Sequence, residues 1–294
     1  MLKALYLYSK ERCPSAILLV ISVILSISVL DGPDSVLSIS ALLISATLFL
    51  FLIRLSDDIC DLPIDRVAHP ERLLCRDQTS LRKLKQFRLL TIPVIFFITL
   101  PAAEDTLLTA AFLLSVLLMC WLFFLYKPTM PTLVHTLLLN GSLAFFPLHS
   151  SLLIKGYINS FAMYMAMYFW FGSVAHDLSH SLVDIRQITI DKIKPLNRIN
   201  QNYLAFSSLV FFSASTITGF LLYVLKMVEP AFFYLLLINF SIVLYLEYHL
   251  IKKPNQQTAA PFYVFGFIFF LTPVLAEIIW KCTKLYFSIH IVTI

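Results

Sequence analysis

Long apolar runs separated by short polar or proline-bearing segments occupy most of the chain between residues 15 and 281. A helix of about twenty apolar residues crosses roughly 30 Å of hydrocarbon. On that measure the pattern predicts nine spanning helices near 15–31, 35–55, 88–104, 106–126, 132–153, 157–176, 203–225, 229–251 and 260–281. The runs are too long and continuous for barrel strands, and only helices or closed barrels satisfy their backbone groups in lipid. The predicted fold is therefore all-α: one transmembrane domain over residues 1–294, built as a nine-helix bundle. Two long connections, near 56–87 and 177–202, are the expected cap loops. The first apolar run follows a basic start, as in a secretory signal. It has no small-residue cleavage site, and "DGPD" at Asp31–Asp34 leads straight into another apolar run, so it reads as a retained helix.

Composition agrees with this reading. The 294 residues are 59% hydrophobic and 13% charged, and the mean hydropathy of +0.85 lies outside the range of soluble domains. Charge fixes the expected orientation, because cytoplasmic loops collect Lys and Arg. The N-terminus and the loops after spans two, four, six and eight hold all 22 such residues except Lys155, Lys226, Lys281 and Lys284. An N-terminus facing the cytoplasm, in a multi-pass protein of the cell membrane, follows. The same bias accounts for the net charge of +5 without a nucleic-acid partner. Cys13, Cys60, Cys75, Cys120 and Cys282 show no paired spacing and read as free thiols.

Two acidic stretches depart from the lipid-like background. In "RLSDDICDLPIDRVAHPERLL", Arg54–Leu74, four aspartates fall at Asp57, Asp58, Asp61 and Asp65. At 100° per residue, positions four apart differ by about 40°, which places Asp57, Asp61 and Asp65 on one stripe. Pro63 interrupts that stripe, so the carboxylates are expected to straddle a helix end. The second stretch, "AHDLSHSLVDIRQITIDKIK" at Ala175–Lys194, follows span six as the first follows span two. There Asp177, His180 and Asp184 advance by three and then four residues, which brings Asp184 back to within about 20° of Asp177.

Like charges stacked at helical spacing repel unless a cation lies among them. Magnesium takes oxygen ligands and is typically held by one or two carboxylates together with substrate phosphates. Two such clusters are expected to hold a diphosphate through magnesium, with Arg66, Arg72 and Lys192 among the basic residues placed to contact phosphate. A plain alternative treats each stretch as a solvated polar loop, and the recurrence after spans two and six favours a site. His176, His180 and Asp184, spaced by four and four, form a rival set suited to zinc or iron. Within the spans, His135, Asn140, Asn239 and Glu247 need a cavity or a partner. Interhelical hydrogen bonding is the simpler role for each. Tyr164, Tyr168 and Trp170 on span six are candidate cation-stabilising aromatics, with packing as the plain alternative.

With these residues in view, the chain resembles the UbiA superfamily of membrane prenyltransferases. Its first motif reads N-D-x-x-D-x-x-x-D followed by Arg, and here Asp57, Asp58, Asp61, Asp65, Arg66, Pro70 and Arg72 stand in that register, Asp57 replacing Asn. The second, close to D-x-x-D-x-x-x-D, is matched by Asp177, His180 and Asp184, with His180 in place of the middle acid. The resemblance implies that Asp57, Asp61, Asp65, Asp177 and Asp184 bind magnesium and are catalytic. It also implies that Asp58, Arg66, Arg72, Lys127, His180 and Lys192 contact or support the diphosphate.

The implied activity is transfer of a prenyl group from an isoprenyl diphosphate to a small aromatic or lipidic acceptor within the membrane. The chain departs from the family at "HPERLLCRD", where many members continue with a second Pro and a Ser-Gly pair. It departs again at "LYKPTMPTL", which keeps Tyr126 and Lys127 without a second basic residue. A terpene cyclase of the same superfamily and a membrane transporter or binding protein are the alternatives.

Overall fold

The structure is a computed structural model that describes residues 1–12, 15–30, 35–190 and 201–291. Side chains are described at 1–12, 18–30, 35–182 and 201–284. All regular elements among the described residues are helical. In order they are α1 (Leu2–Arg12), α2 (Ser15–Ile27), α3 (Val36–Cys60), α4 (Leu62–Ala68), α5 (Leu73–Arg76), α6 (Gln78–Thr99) and α7 (Thr106–Tyr126). There follow α8 (Thr132–Asn140), α9 (Phe145–Lys155), α10 (Ser160–Ile190), α11 (Gln201–Val224), α12 (Pro230–Lys252), α13 (Gln256–Ala259) and α14 (Phe262–Ile291).

Among the described residues, seven segments are long and apolar enough to cross a membrane: Val36–Cys60, Gln78–Ala102, Thr106–Thr129, Thr132–Lys155, Gln201–Val224, Pro230–Lys252 and Gln256–Lys284. The fifth expected span is α8 and α9 joined by a 3-10 turn at Gly141–Ala144. The first expected span contains α2, whose 13 residues measure only about 20 Å at 1.5 Å per residue. The sixth coincides from Ser160 onward with the first part of α10, which is 31 residues long.

Local sequence explains where helices begin and end. Ser35 starts α3 by accepting a hydrogen bond from Ser38 N–H (3.0 Å). Asp77 caps α6 through Thr79 and Ser80 N–H, and Asp105 caps α7 through Leu108 N–H (2.8 Å). Pro63 falls in the first turn of α4, where its missing N–H costs nothing, so α3 stops at Cys60 and the chain re-enters a helix at Leu62. The expectation that the first carboxylates straddle a helix end therefore describes the structure. The second expected cap loop does not: residues 177–190 continue α10 without a break. "AHDLSHSLVDIRQITI" contains neither proline nor glycine, so its polar residues decorate a helix without ending it. Residues 191–200, including Asp191 and Lys192, lie outside the described residues.

The chain divides into two compact units. The first comprises Met1–Ser26, Pro33–Pro131 and Leu148–Ile158. At its motif-bearing end Ala4 and Tyr8 of α1 pack into a core with Leu55, Leu62, Leu73, Leu74, Leu81 and Leu84. The second comprises Ile27–Gly32, Thr132–Pro147 and Asn159–Ile294. Its centre is aromatic, with Phe169, Phe212, Phe232, Phe262, Phe269 and Phe270 almost wholly buried. By contrast, α7 leaves Leu114, Leu118, Met119, Trp121 and Leu125 exposed, a surface that suits lipid and not water.

Candidate active site

The last turns of α3 and the start of α4 carry the first motif, and α7 supplies its counter-charge. Cys60 Sγ donates to Phe124 O (3.3 Å), holding the end of α3 against the last turn of α7. Three residues further on, Lys127 turns back. Its Nζ lies 2.5 Å from Asp57 Oδ1 and 2.8 Å from Asp61 Oδ1, so one ammonium joins two carboxylates a helical turn apart. Lys127 and Asp57 are largely buried, and Asp61 retains about a third of its exposure (38%). Arg54 Nη1 stands 3.9 Å from the other Asp57 oxygen. Burial raises the Asp61 carboxyl above the ordinary aspartate range; Lys127 opposes that shift and the neighbouring charge of Asp57 adds to it.

Asp65, one helical turn beyond, belongs to a separate pair, with Arg72 Nη1 2.5 Å from its Oδ1. Arg66 is exposed and makes no ion pair among the described residues. Asp58 points elsewhere. It is buried and accepts from Tyr8 OH (2.7 Å), from Arg12 Nε (3.1 Å) and from Arg12 Nη2 (2.8 Å), with Arg54 Nη2 at 3.3 Å. The hydrogen bond to Asp58 leads the effects that raise the Arg12 pKa. Tyr8, Arg12 and Arg54 escaped the sequence reading, although basic residues flanking an acidic cluster are a visible signal.

The second motif lies on α10. Asn140 Nδ2 donates to Asp177 Oδ2 (3.1 Å) and to Thr136 O (2.9 Å), so Asp177 is tied to α8. The ring of His180 lies parallel to that of His176, at 5.9 Å and 4°. It also meets Tyr263 at 4.9 Å. The Nδ1 of His180 is buried without a hydrogen-bond partner. His176 Nδ1 lies 2.9 Å from Phe262 O, and the ring fills the space beside Gly266. Asp184 is on α10 with its side chain outside the described residues. No group of three or more His, Cys, Asp or Glu side chains gathers into a metal site among the described residues; the rival set of His176, His180 and Asp184 includes a side chain that lies outside them.

Other candidates have structural partners. Glu247 accepts from Ser208 Oγ (2.7 Å). Asn239 donates to Thr272 Oγ1 (2.8 Å). Trp170 Nε1 donates to Leu137 O (2.8 Å), and the buried Tyr168 donates to Phe270 O (3.2 Å). These are interhelical hydrogen bonds, and they make Tyr168 and Trp170 packing residues.

The donor set of the first motif fits a hard divalent cation. Asp57 and Asp61 are oxygen ligands already converging on one positive charge, and a magnesium ion that keeps waters and phosphate oxygens needs only one or two carboxylates. Lys127 is a cation in that place, so metal and lysine would compete for the same oxygens.

A model of the UbiA prenyltransferase family matches residues 17–272. No curated protein matches the chain. A solved structure of a digeranylgeranylglyceryl phosphate synthase studied in membranes superposes with a TM-score of 0.72 at 17% identity, covering 95% of this chain and 99% of that one. The apo structure of a UbiA homologue from Aeropyrum pernix K1 gives 0.64 at 13% identity, covering 91% and 96%.

Proposed function

Because the chain belongs to the UbiA prenyltransferase family, we propose that it is a magnesium-dependent membrane prenyltransferase whose first motif receives the diphosphate of an isoprenyl donor. The carrying observation is the single ammonium of Lys127 held between Asp57 and Asp61. That geometry stores a cation where a metal and a phosphate are to be handled, and it leaves Lys127 able to exchange a carboxylate for a phosphate oxygen. Asp57 and Asp61 would hold the metal, which would neutralise charge on the bound diphosphate.

In the reaction the bond between the first prenyl carbon and the bridging oxygen breaks, and its electron pair departs with the diphosphate. Lys127 and Arg72 supply positive charge to that leaving group, an effect that strengthens where water is excluded. The acceptor then bonds to the allylic carbon and loses a proton. Asp65, Asp177, Asp184, Arg66, His180 and Lys192 enter the proposal from the sequence pattern, as further ligands and diphosphate contacts.

The proposal includes nine spans, with α2 and α10 completing the seven clear ones, and a cytoplasmic N-terminus in the cell membrane. The likeness to a digeranylgeranylglyceryl phosphate synthase favours a lipidic over a small aromatic acceptor. A second reading, cyclisation of the donor by its own double bonds, gains support from the sequence after Tyr126: Lys127 is followed by Pro128, which leaves no basic pair for a carboxylated acceptor.

Mass spectrometry of lipids from cells expressing wild type and Asp61→Ala tests both. A prenylated product found only with wild type supports transfer. A cyclic hydrocarbon found only with wild type supports cyclisation. Identical extracts, together with no diphosphate release in vitro, would leave a transport or binding role.

A further inference from the structure

The N-terminal helix α1 precedes the residues that match the family, 17–272, yet it grips the first motif at two points. Tyr8, Glu11 and Arg12 share one helical face through their spacing of three and four. Tyr8 and Arg12 direct three hydrogen bonds onto the buried carboxylate of Asp58. Glu11 receives the N–H of Leu73 on both carboxylate oxygens, at 3.1 and 3.2 Å. Asp58 lies between Asp57 and Asp61, the two partners of Lys127; Leu73 directly follows Arg72, the partner of Asp65. The segment between the two grips therefore contains Asp61, Asp65, Arg66 and Arg72. The backs of Ala4 and Tyr8 are sealed into the leucine core formed by Leu55, Leu62, Leu73 and Leu74.

A buried carboxylate without partners is strongly unfavourable, so Asp58 is fixed by its donors and fixes in turn the rotation of the last turn of α3. Charge-assisted bonds to two nitrogens of one guanidinium make that constraint directional.

Resting on the proposed function, we infer that α1 is a positioning clamp for diphosphate binding. Tyr8, Glu11 and Arg12 set the first motif's geometry from outside the site, and Asp58 is a positioning residue that touches neither metal nor diphosphate. The clamp holds Asp57 and Asp61 at the spacing that one cation bridges, and holds Arg72 beside Asp65. Loosening it lowers affinity for the diphosphate while leaving the ligands themselves in the chain.

Isothermal titration of the purified full-length protein in nanodiscs, with inorganic diphosphate and magnesium as the probe, tests this beside thermal unfolding. Arg12→Gln is expected to weaken binding by about tenfold and Tyr8→Phe by about threefold, while Arg12→Lys stays closer to wild type. With a prenyl diphosphate the same variants raise KM more than they lower kcat. Tyr8→Phe keeps the packed ring and decides the matter if Arg12→Gln does not fold. Variants that bind with wild-type affinity at reduced stoichiometry would show a merely structural helix and overturn the inference alone. A wild-type protein that binds no diphosphate overturns the proposed function and this inference with it.

Discussion

Lys127 Nζ lies 2.5 Å from Asp57 Oδ1, and the two residues are 70 positions apart in the chain. The contact closes a charge cluster that α3 alone would leave repulsive, since Asp57 and Asp61 stack one turn apart. Lys127→Met removes the competing cation and keeps the length of the side chain. Manganese, as a paramagnetic substitute for magnesium, is then expected to bind tighter without diphosphate, by about tenfold or about 1.4 kcal/mol. Turnover of prenyl diphosphate is expected to fall by at least about tenfold, because the leaving group loses a positive partner. Electron paramagnetic resonance titration and diphosphate release measure the two effects. Parallel losses of metal affinity and turnover would show that Lys127 organises the carboxylates without competing for them.

Asp61 predicts a pH dependence of definite sign. Burial raises its carboxyl above the ordinary range, so the folded protein holds this proton more tightly than the unfolded chain does. The corresponding stabilisation is complete below the unfolded value of about 3.9 and is lost as pH rises through the folded value. Asp61→Asn stays uncharged throughout. Its thermal midpoint is therefore expected to exceed that of wild type at neutral pH, and the advantage is expected to shrink on acidification towards about pH 4. Metal binding by wild type needs the ionised form, so affinity falls on acidification from a higher pH than an ordinary aspartate would give. A pH series of unfolding scans and metal titrations checks both directions. An unchanged midpoint difference across the series would sink the prediction.

Much of this was legible in the sequence, for reasons that particular residues make plain. The register of Asp57, Asp61 and Asp65 and the break at Pro63 are local, and local periodicity predicts both the shared face and the helix end. Lys127 enters through the family resemblance, since "LYKPTMPTL" keeps the Tyr and one basic residue of that position. Asp58 was grouped with its neighbours because sequence spacing cannot show that Tyr8 and Arg12, 50 and 46 positions away, claim its carboxylate. The polarity of residues 177–190 suggests a loop, yet without proline or glycine nothing in that stretch ends a helix. For Tyr168 and Trp170 the sequence leaves packing beside a cation-stabilising role, and their hydrogen bonds to carbonyls of other helices select packing.

Lys226 provides a prediction away from the site. It is the exception among the described non-glycine residues in having a positive φ, 56°. Met227 N–H bonds to Leu222 O and Lys226 N–H to Tyr223 O, which closes α11 with a left-handed residue in the place usually held by glycine. Lys226→Gly removes the Cβ penalty but adds freedom to the unfolded chain, and the first effect is the larger. A gain of about 0.5–1 kcal/mol is expected, measured as a higher midpoint in detergent, with diphosphate release at the wild-type rate. A lower midpoint would mean that the lysine side chain contributes more than its backbone costs.

Gly266 and His176 offer a test of the second unit by a double-mutant cycle. A Cβ at Gly266 would stand 2.2 Å from His176 Nδ1 and 2.8 Å from its Cγ, far inside contact distance. The imidazole has little freedom to retreat, since its Nδ1 is bonded to Phe262 O and its face meets Phe267 at 4.3 Å. Gly266→Ala is expected to destabilise by about 1–3 kcal/mol through overpacking. His176→Ala removes the ring, so the added methyl in the double variant fills vacated space and its cost should largely vanish. Additive losses would show that the glycine is needed for its backbone and not as a seat for the imidazole. Because His180 stacks on His176, Gly266→Ala should also move the His180 imidazole signals in NMR spectra of histidine-labelled protein, linking the packing of α14 to the residue that replaces the middle acid of the second motif.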